Sequence, residues 1–304
     1  MKKKAAIGPV LALIVLFGAA EARSQVPGEK FSLRISAGYG FSGFGDLNLA
    51  EKGQNARLGD LASSMGFNKT GELALPHQGL DFNGEIVLRI AKPLEIGIGL
   101  GRLFRANSNS MVAIEESSSG VRSFVRWTTR ASAIPLHLNA YYRVPISPRL
   151  SSFVKAGLGY YSANLELTSE KESELLGIRT WSRLKSKGRD YALGYQAGLV
   201  IEYAISGAFS LIAEGSWRFV NLKNWSVTYD YTSNSLTDTT RAAMWWSVEE
   251  LSRDTGKSYP GLIHSDQEPA GAIYEQVRKA EIDFSGWSIQ LGLKIRLGKS
   301  RIGG

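Results

Sequence analysis

The chain has 304 residues, with 36 Lys and Arg against 28 Asp and Glu, a formal charge of +8 and no cysteine. The missing cysteines exclude a disulfide framework, a thiolate metal site and lipid attachment through sulfur. The mild positive surplus is spread along the chain without a basic helix or a stacking motif, which argues against a nucleic-acid partner.

The first element is the opening MKKKAAIGPVLALIVLFGAAEARS. Lys2 to Lys4 precede an apolar run from Ala5 to Ala20, and Ala20-Glu21-Ala22 supplies small residues in an A-x-A arrangement. This is the layout of a cleaved secretory signal at residues 1–22; the run is too short, and too broken by Gly8 and Pro9, for an anchor. Cleavage removes three lysines and Glu21, so the formal charge falls from +8 to +6. Beyond residue 22 no apolar run is long enough for a membrane helix, so any crossing must use strands.

Period-two alternation then recurs in eight segments. Their apolar positions begin Phe31, Leu33, Ile35 in the first segment, Leu80, Phe82 in the second and Leu94, Ile96, Ile98 in the third. The fourth has Ile134, Leu136, Leu138, and the fifth Val154, Ala156, Leu158. Tyr191 to Tyr203 and Phe209 to Phe219 follow, and Trp287, Ile289, Leu291, Leu293, Ile295, Leu297 close the set. Each is about the 9–11 residues that a tilted strand needs to cross a bilayer. Tight turns at Lys92-Pro93, Pro145 to Arg149 and Ser206-Gly207 alternate with long polar connections at 46–79, 105–121, 166–189 and 221–281. That segregation is expected of a transmembrane barrel with periplasmic turns and extracellular loops.

The remaining question is which face is inside. The polar face is rich in glycine, including Gly38, Gly97, Gly99, Gly157, Gly159, Gly194, Gly198 and Gly292. Such residues add nothing to a solvated face but make room inside a narrow barrel. The aromatics of the apolar face collect at strand ends. Tyr39, Phe41, Phe82, Phe104, Tyr160, Tyr191, Trp217 and Phe219 lie toward the long loops, and Phe31, Tyr142, Tyr203 and Phe209 toward the turns. Two girdles around an aliphatic band match the two bilayer interfaces. The expected fold is all-β: an eight-stranded antiparallel up-and-down transmembrane barrel at residues 23–297, with a short periplasmic tail at 298–304.

Gln290-x-Gly292-x-x-Ile295-x-Leu297 resembles the last-strand signal read by the bacterial barrel-assembly machinery, and IPLHLNAYYR followed by FVKAGLGYY looks like paired inner strands of small barrels. The chain resembles the small outer-membrane β-barrel family of OmpA-type and porin-like proteins. That resemblance implies the outer membrane of a Gram-negative-type bacterium, lipid and the assembly machinery as partners, and a monomer. Two departures stand out: residues Gly298 to Gly304 follow where the family often ends on phenylalanine, and no peptidoglycan-binding module follows the barrel.

The inward positions carry an expected ion network of Arg34, Glu85, Arg89, Glu95, His137, Lys155, Glu202, Glu214, Arg218 and Lys294, with Asp81, Gln196 and Gln290 among them. Counting back from the Lys92 turn sets Arg89 opposite Glu95, and Lys155 and Glu202 read as lying at similar heights on adjacent strands. No cofactor or metal is expected. None of the three histidines, His77, His137 and His264, stands two residues from a serine beside an acid on a strand end, the arrangement that lipid-modifying barrel enzymes use. In the fourth connection Ala242, Trp245, Trp246 and Glu249 stand at helical spacing, so a short helix is expected within 238–254, with Trp245 and Trp246 as candidate anchors for an unknown extracellular partner. The expected function is a non-enzymatic envelope-structural or surface-interaction role. A narrow porin-like channel for small solutes or apolar ligands comes second, and an outer-membrane lipid-modifying enzyme third.

Overall fold

The computed structural model describes residues 31–116, 122–175, 177–250, 257–271 and 274–297. The expected leader at 1–22 and the expected tail at 298–304 lie outside the described residues. Fifteen strands and one helix follow in order: β1 (Phe31–Phe41), α1 (Asp46–Met65), β2 (Asn68–Thr70), β3 (Gln78–Arg89), β4 (Leu94–Glu115), β5 (Arg122–Pro145), β6 (Leu150–Leu175), β7 (Ile178–Ala204) and β8 (Phe209–Phe219). The rest are β9 (Asn221–Leu222), β10 (Ser226–Ser233), β11 (Thr237–Glu250), β12 (Ser258–Ser265), β13 (Tyr274–Lys279), β14 (Ile282–Asp283) and β15 (Gly286–Leu297).

Every pairing is antiparallel. One path runs β7-β6-β5-β4-β3-β1-β15-β8, and β8 pairs in turn with β7. The three tight turns are hydrogen-bonded: Ile90 N–H donates to Leu94 O, Ile146 N–H to Leu150 O and Ile205 N–H to Phe209 O. The outward positions are aliphatic and exposed, Leu193 at 80% and Leu291 at 68%, while Arg34, Glu85, Glu95, Lys155 and Lys294 on the other face are buried. Tyr160 stacks on Tyr191 and Tyr195 on Phe219 near the long-loop end, whereas Phe31 and Phe209 sit beside the turns.

Large inward side chains lie across from glycine on the neighbouring strand. Glu85 faces Gly99, Asn139 faces Gly97 and Gly157, and Lys155 faces Gly198. A Cβ at Gly97 would lie 2.2 Å from Glu85 Oε1, and one at Gly157 would lie 1.9 Å from Asn139 Oδ1. These glycines are the space into which the polar side chains fold.

Two of the expected long loops are strand for most of their length. β4 continues to Glu115 after a register shift between Arg105 and Ser108, and β5 begins at Arg122. β6 and β7 stay paired from Leu150↔Tyr203 up to Leu175↔Ile178. The upper part of β7 pairs with β10 (Ser226↔Arg189 to Ser233↔Ser182), because β8 leaves it at Tyr195. Asp190 marks the exchange, accepting from Asn224 N–H at 2.8 Å. The helix expected within 238–254 is absent from the described residues. β11 pairs instead with β10, β12 and β13, so the three- and four-residue spacing of its apolar side chains is overridden by strand partners on both sides. The one helix among the described residues, α1, lies in the first connection. It ends at Gly66, whose φ of 71° is left-handed and whose N–H turns back to the last carbonyls.

Candidate functional site

The inner face changes character along its length. In β5 the inward sequence reads Arg143, Tyr141, Asn139 and His137 toward the turns, then Ala133, Ala131, Thr129 and Val125 toward the long loops. The lower section is therefore a polar filling, and the upper section is the wall of an apolar core.

Three polar layers fill the lower section. Nearest the turns, Lys294 Nζ donates to Glu95 at 2.8 and 3.1 Å and to Glu202 at 3.1 Å, and Arg296 donates to Glu202. Arg34 lies 3.8 Å from Glu95 and 4.0 Å from Glu202, with its guanidinium 4.2 Å from the Tyr141 ring centroid. A cation over an aromatic face explains why Arg34 is held without conventional hydrogen bonds. Arg89 lies opposite Glu95 and reaches it at 3.4 Å. A cavity of about 520 Å³ opens at the turn end, lined by Arg89, Arg143, Arg149, Glu202 and Arg296, and this layer forms its floor.

In the middle layer Glu85 accepts from Tyr141 OH and, at 2.8 Å, from Asn139, which in turn accepts from Gln196 at 2.7 Å. Lys155 donates to Glu214 at 2.7 Å. The expected match in height between Lys155 and Glu202 is corrected. Glu202 lies opposite Ser151 and Lys155 opposite Gly198, four residues further along, so each carboxylate and ammonium finds a different partner across the lumen. A void of about 30 Å³ beside His137, Lys155 and Gln196 is large enough for one water. His137 Nε2 and Asn83 Oδ1 are buried without protein partners, which is what such a water would satisfy.

In the upper layer Arg218 bonds Asp81 at 3.1 Å and also reaches Ser42 Oγ, Phe41 O and Phe284 O. One guanidinium thus ties the wall to the two connections that cover it. Above it, Phe44, Leu47, Leu75, Val220, Leu222, Trp225, Met244, Ile282 and Phe284 form one buried apolar cluster with Ala131, Ala133 and Tyr161 of the wall. Phe44 adopts φ 62°, unusual for an aromatic residue, and packs edge-on against Phe284 at 5.4 Å. A second cluster joins Leu58 and Ala62 of α1 to Val112, Ile114 and Val125. Asp46, at the start of α1, takes both Arg278 nitrogens at 2.6 Å and the Glu281 N–H at 2.7 Å, and Asp60 bonds Lys257 and Tyr259. The first and fourth connections are therefore one folded lobe seated in the mouth.

Trp245 belongs to that lobe. Its indole N–H donates to Ser265 O at 3.2 Å and the side chain is half-buried. Trp246 lies opposite Leu262 in the ladder, and its side chain is outside the described residues. His77 is stacked on Phe41 with Nδ1 2.9 Å from Ser42 O. The helix α1 and the upper parts of β4 to β7 are not legible in the sequence, whereas the alternation of Trp225, Val227, Tyr229 and Tyr231 reads as a strand rising above the membrane, where β10 pairs with β7. Leu47, Ala50, Leu58 and Ala62 carry the helical signal, which Gly53 and Gly59 interrupt.

His264 packs against Tyr229 in the lobe, and burial pushes its pKa down to about 4. Arg57 and Lys171 line the same cavity as its ring. An unfolded histidine takes up its proton near pH 6.5 while the folded one resists until about 4, so lobe stability falls as the pH drops between those values. Amide protection factors in β11 and β12, taken against the intrinsic exchange rate at each pH, are expected to be lower at pH 5 than at pH 7, and His264→Gln to remove most of that difference.

The family model of the outer membrane protein beta-barrel domain matches residues 10–245. Among solved structures, the crystal structure of Neisserial surface protein A (NspA) is 11% identical over 90% of this chain and 100% of that one, with a TM-score of 0.35. The outer membrane protease OmpT from Escherichia coli is 10% identical over 91% of this chain and 100% of that one, with a TM-score of 0.30. No curated protein matches. The match to the family model covers well over half the chain and agrees with an antiparallel sheet whose apolar face is exposed and whose charges are buried. The chain belongs to the outer membrane β-barrel domain family and resides in the outer membrane of a Gram-negative-type bacterium.

Proposed function

We propose that the eight strands β1, β3 to β8 and β15 are the transmembrane wall of a closed barrel, that its lumen is sealed, and that its work is non-enzymatic display of the folded lobe at the cell surface. The observation that carries this reading is the stack of three bonded polar layers beneath an apolar core built from the first and fourth connections. Salt bridges of this kind add little net stability over apolar packing, but they fill a lumen that eight strands leave barely wide enough for side chains. The surroundings of His77 and His137 support this reading: His77 is packed on Phe41, and His137 faces the middle layer beside Lys155.

The orientation is testable because the chain has no cysteine. Asp266→Cys, in the exposed turn after β12, is expected to react with a membrane-impermeant maleimide on intact cells. Ser147→Cys, in a tight turn, is expected to react only after lysis. The reverse pattern, or labelling of neither site on intact cells, would overturn surface display.

A further inference from the structure

Between α1 and the extended wall of β5, β6, β7 and β12 lies a cavity of about 250 Å³. Its apolar lining includes Leu47, Trp127, Leu167, Leu184 and Leu262. Its polar lining includes Thr129, Ser186 and His264, and Thr129 Oγ1, Ser186 Oγ and His264 Nε2 are all buried without a hydrogen-bond partner. Thr129 is fully buried and Ser186 is 2% exposed. Buried hydroxyls are normally paired, and three unpaired side chains lining one cavity indicate groups held ready for an occupant. The charged lining residues are Arg57 and Lys171, and no carboxylate stands among the described lining residues.

We infer that this cavity binds a small amphipathic monocarboxylate, its apolar part against the leucines and Trp127 and its carboxylate against Thr129, Ser186 and the basic side. The volume, roughly that of eight waters, suits a ligand of about ten heavy atoms and is small for a drug-sized one. His264 suits the role as a neutral hydrogen-bonding ring, since burial keeps it uncharged at neutral pH. Water alone could satisfy three polar atoms, but it would leave the leucine and tryptophan side of the cavity unexplained. The cavity is separate from the sealed section of the lumen, because none of its lining residues belongs to the three polar layers.

The test is calorimetric titration of the full chain in lipid nanodiscs with octanoate, 1-octanol and acetate, with empty nanodiscs as the reference for partitioning. Saturable binding of one octanoate per chain is expected, at least about tenfold tighter than octanol or acetate, which is the weight of one hydrogen bond to a charged group. Ser186→Ala and Thr129→Val are each expected to weaken octanoate about tenfold, and Leu184→Trp to abolish it by filling the cavity. Unchanged heat-modifiability and lobe protease resistance identify the variants that fold. No saturable octanoate binding overturns the site, retention in folded Leu184→Trp overturns its location, and equal affinity for octanol overturns the carboxylate. None of these outcomes bears on conductance or surface labelling.

Discussion

Replacing Glu95 with alanine is expected to destabilise the refolded barrel by about 3–5 kcal/mol, the cost of leaving buried cations without their counter-ion. Glu95 is 1% exposed and serves Lys294, Arg34 and Arg89 together. Once it is gone, Glu202 alone faces Lys294, Arg34 and Arg296. The three cations are not equivalent. The Arg89 side chain is 26% exposed at the cavity by the turns, so Arg89→Ala should cost within about 1 kcal/mol, as water takes the place of its partner. Lys294 is 1% exposed, and Glu95→Ala with Lys294→Met should cost less than the two changes summed, by about 0.5–3 kcal/mol. Urea unfolding in detergent micelles, followed by tryptophan fluorescence, measures all four. Strict additivity of the Glu95 and Lys294 changes would show that the layer is a set of independent residues and not a network.

Trimming 233–278 to a short Gly-Ser link is expected to leave a barrel that still closes but a lobe that no longer holds together. Closure relies on β8 pairing with β7 and β15, which the deletion does not touch. The lobe loses Met244 from its core, the Asp46–Arg278 pair and the Asp60 contacts of Lys257 and Tyr259. It also loses Pro260, which packs so close to α1 that a Cβ at Gly53 would lie 2.2 Å from its carbonyl. Heat-modifiability should persist, while trypsin on proteoliposomes should cut α1, for example after Arg57, which the full chain protects. Phe44→Ala should give a milder form of the same result, losing about 3–5 kcal/mol of lobe stability for an aromatic removed from a closed core. A trimmed chain that fails to fold at all would mean that the lobe is required for closure.

The wall was legible in the sequence because lipid imposes a rule on one face. From Ile35 to Leu293 the outward residues must be apolar, and period two follows. Above the lipid that rule lapses. The outward residues of β6 and β7 become Glu170, Lys185 and Arg183, so strands there read as polar loops although their ladder runs unbroken to Leu175↔Ile178. Register near the turns was also readable, as Arg89 opposite Glu95 shows, because a short hydrogen-bonded turn fixes the count. Partners across the lumen were not readable. Lys155 meets Glu214, 59 residues away, and Lys294 meets Glu95, 199 residues away, through barrel curvature that no local spacing encodes. The lobe escaped for a related reason: Phe44, Met244 and Phe284 become neighbours only once the ring has brought the first and fourth connections together.

The sealed lumen is tested most directly by planar-bilayer conductance of the full-length folded protein, with heat-modifiability establishing that the inserted material is folded. The layers of Arg218 with Asp81, Lys155 with Glu214, and Lys294 with Glu95 and Glu202 lie one above another beneath the lobe core. The expected trace is that of the lipid alone at every applied voltage. Reproducible conductance steps that scale with the amount of folded protein would contradict the sealed lumen and establish a pore in its place.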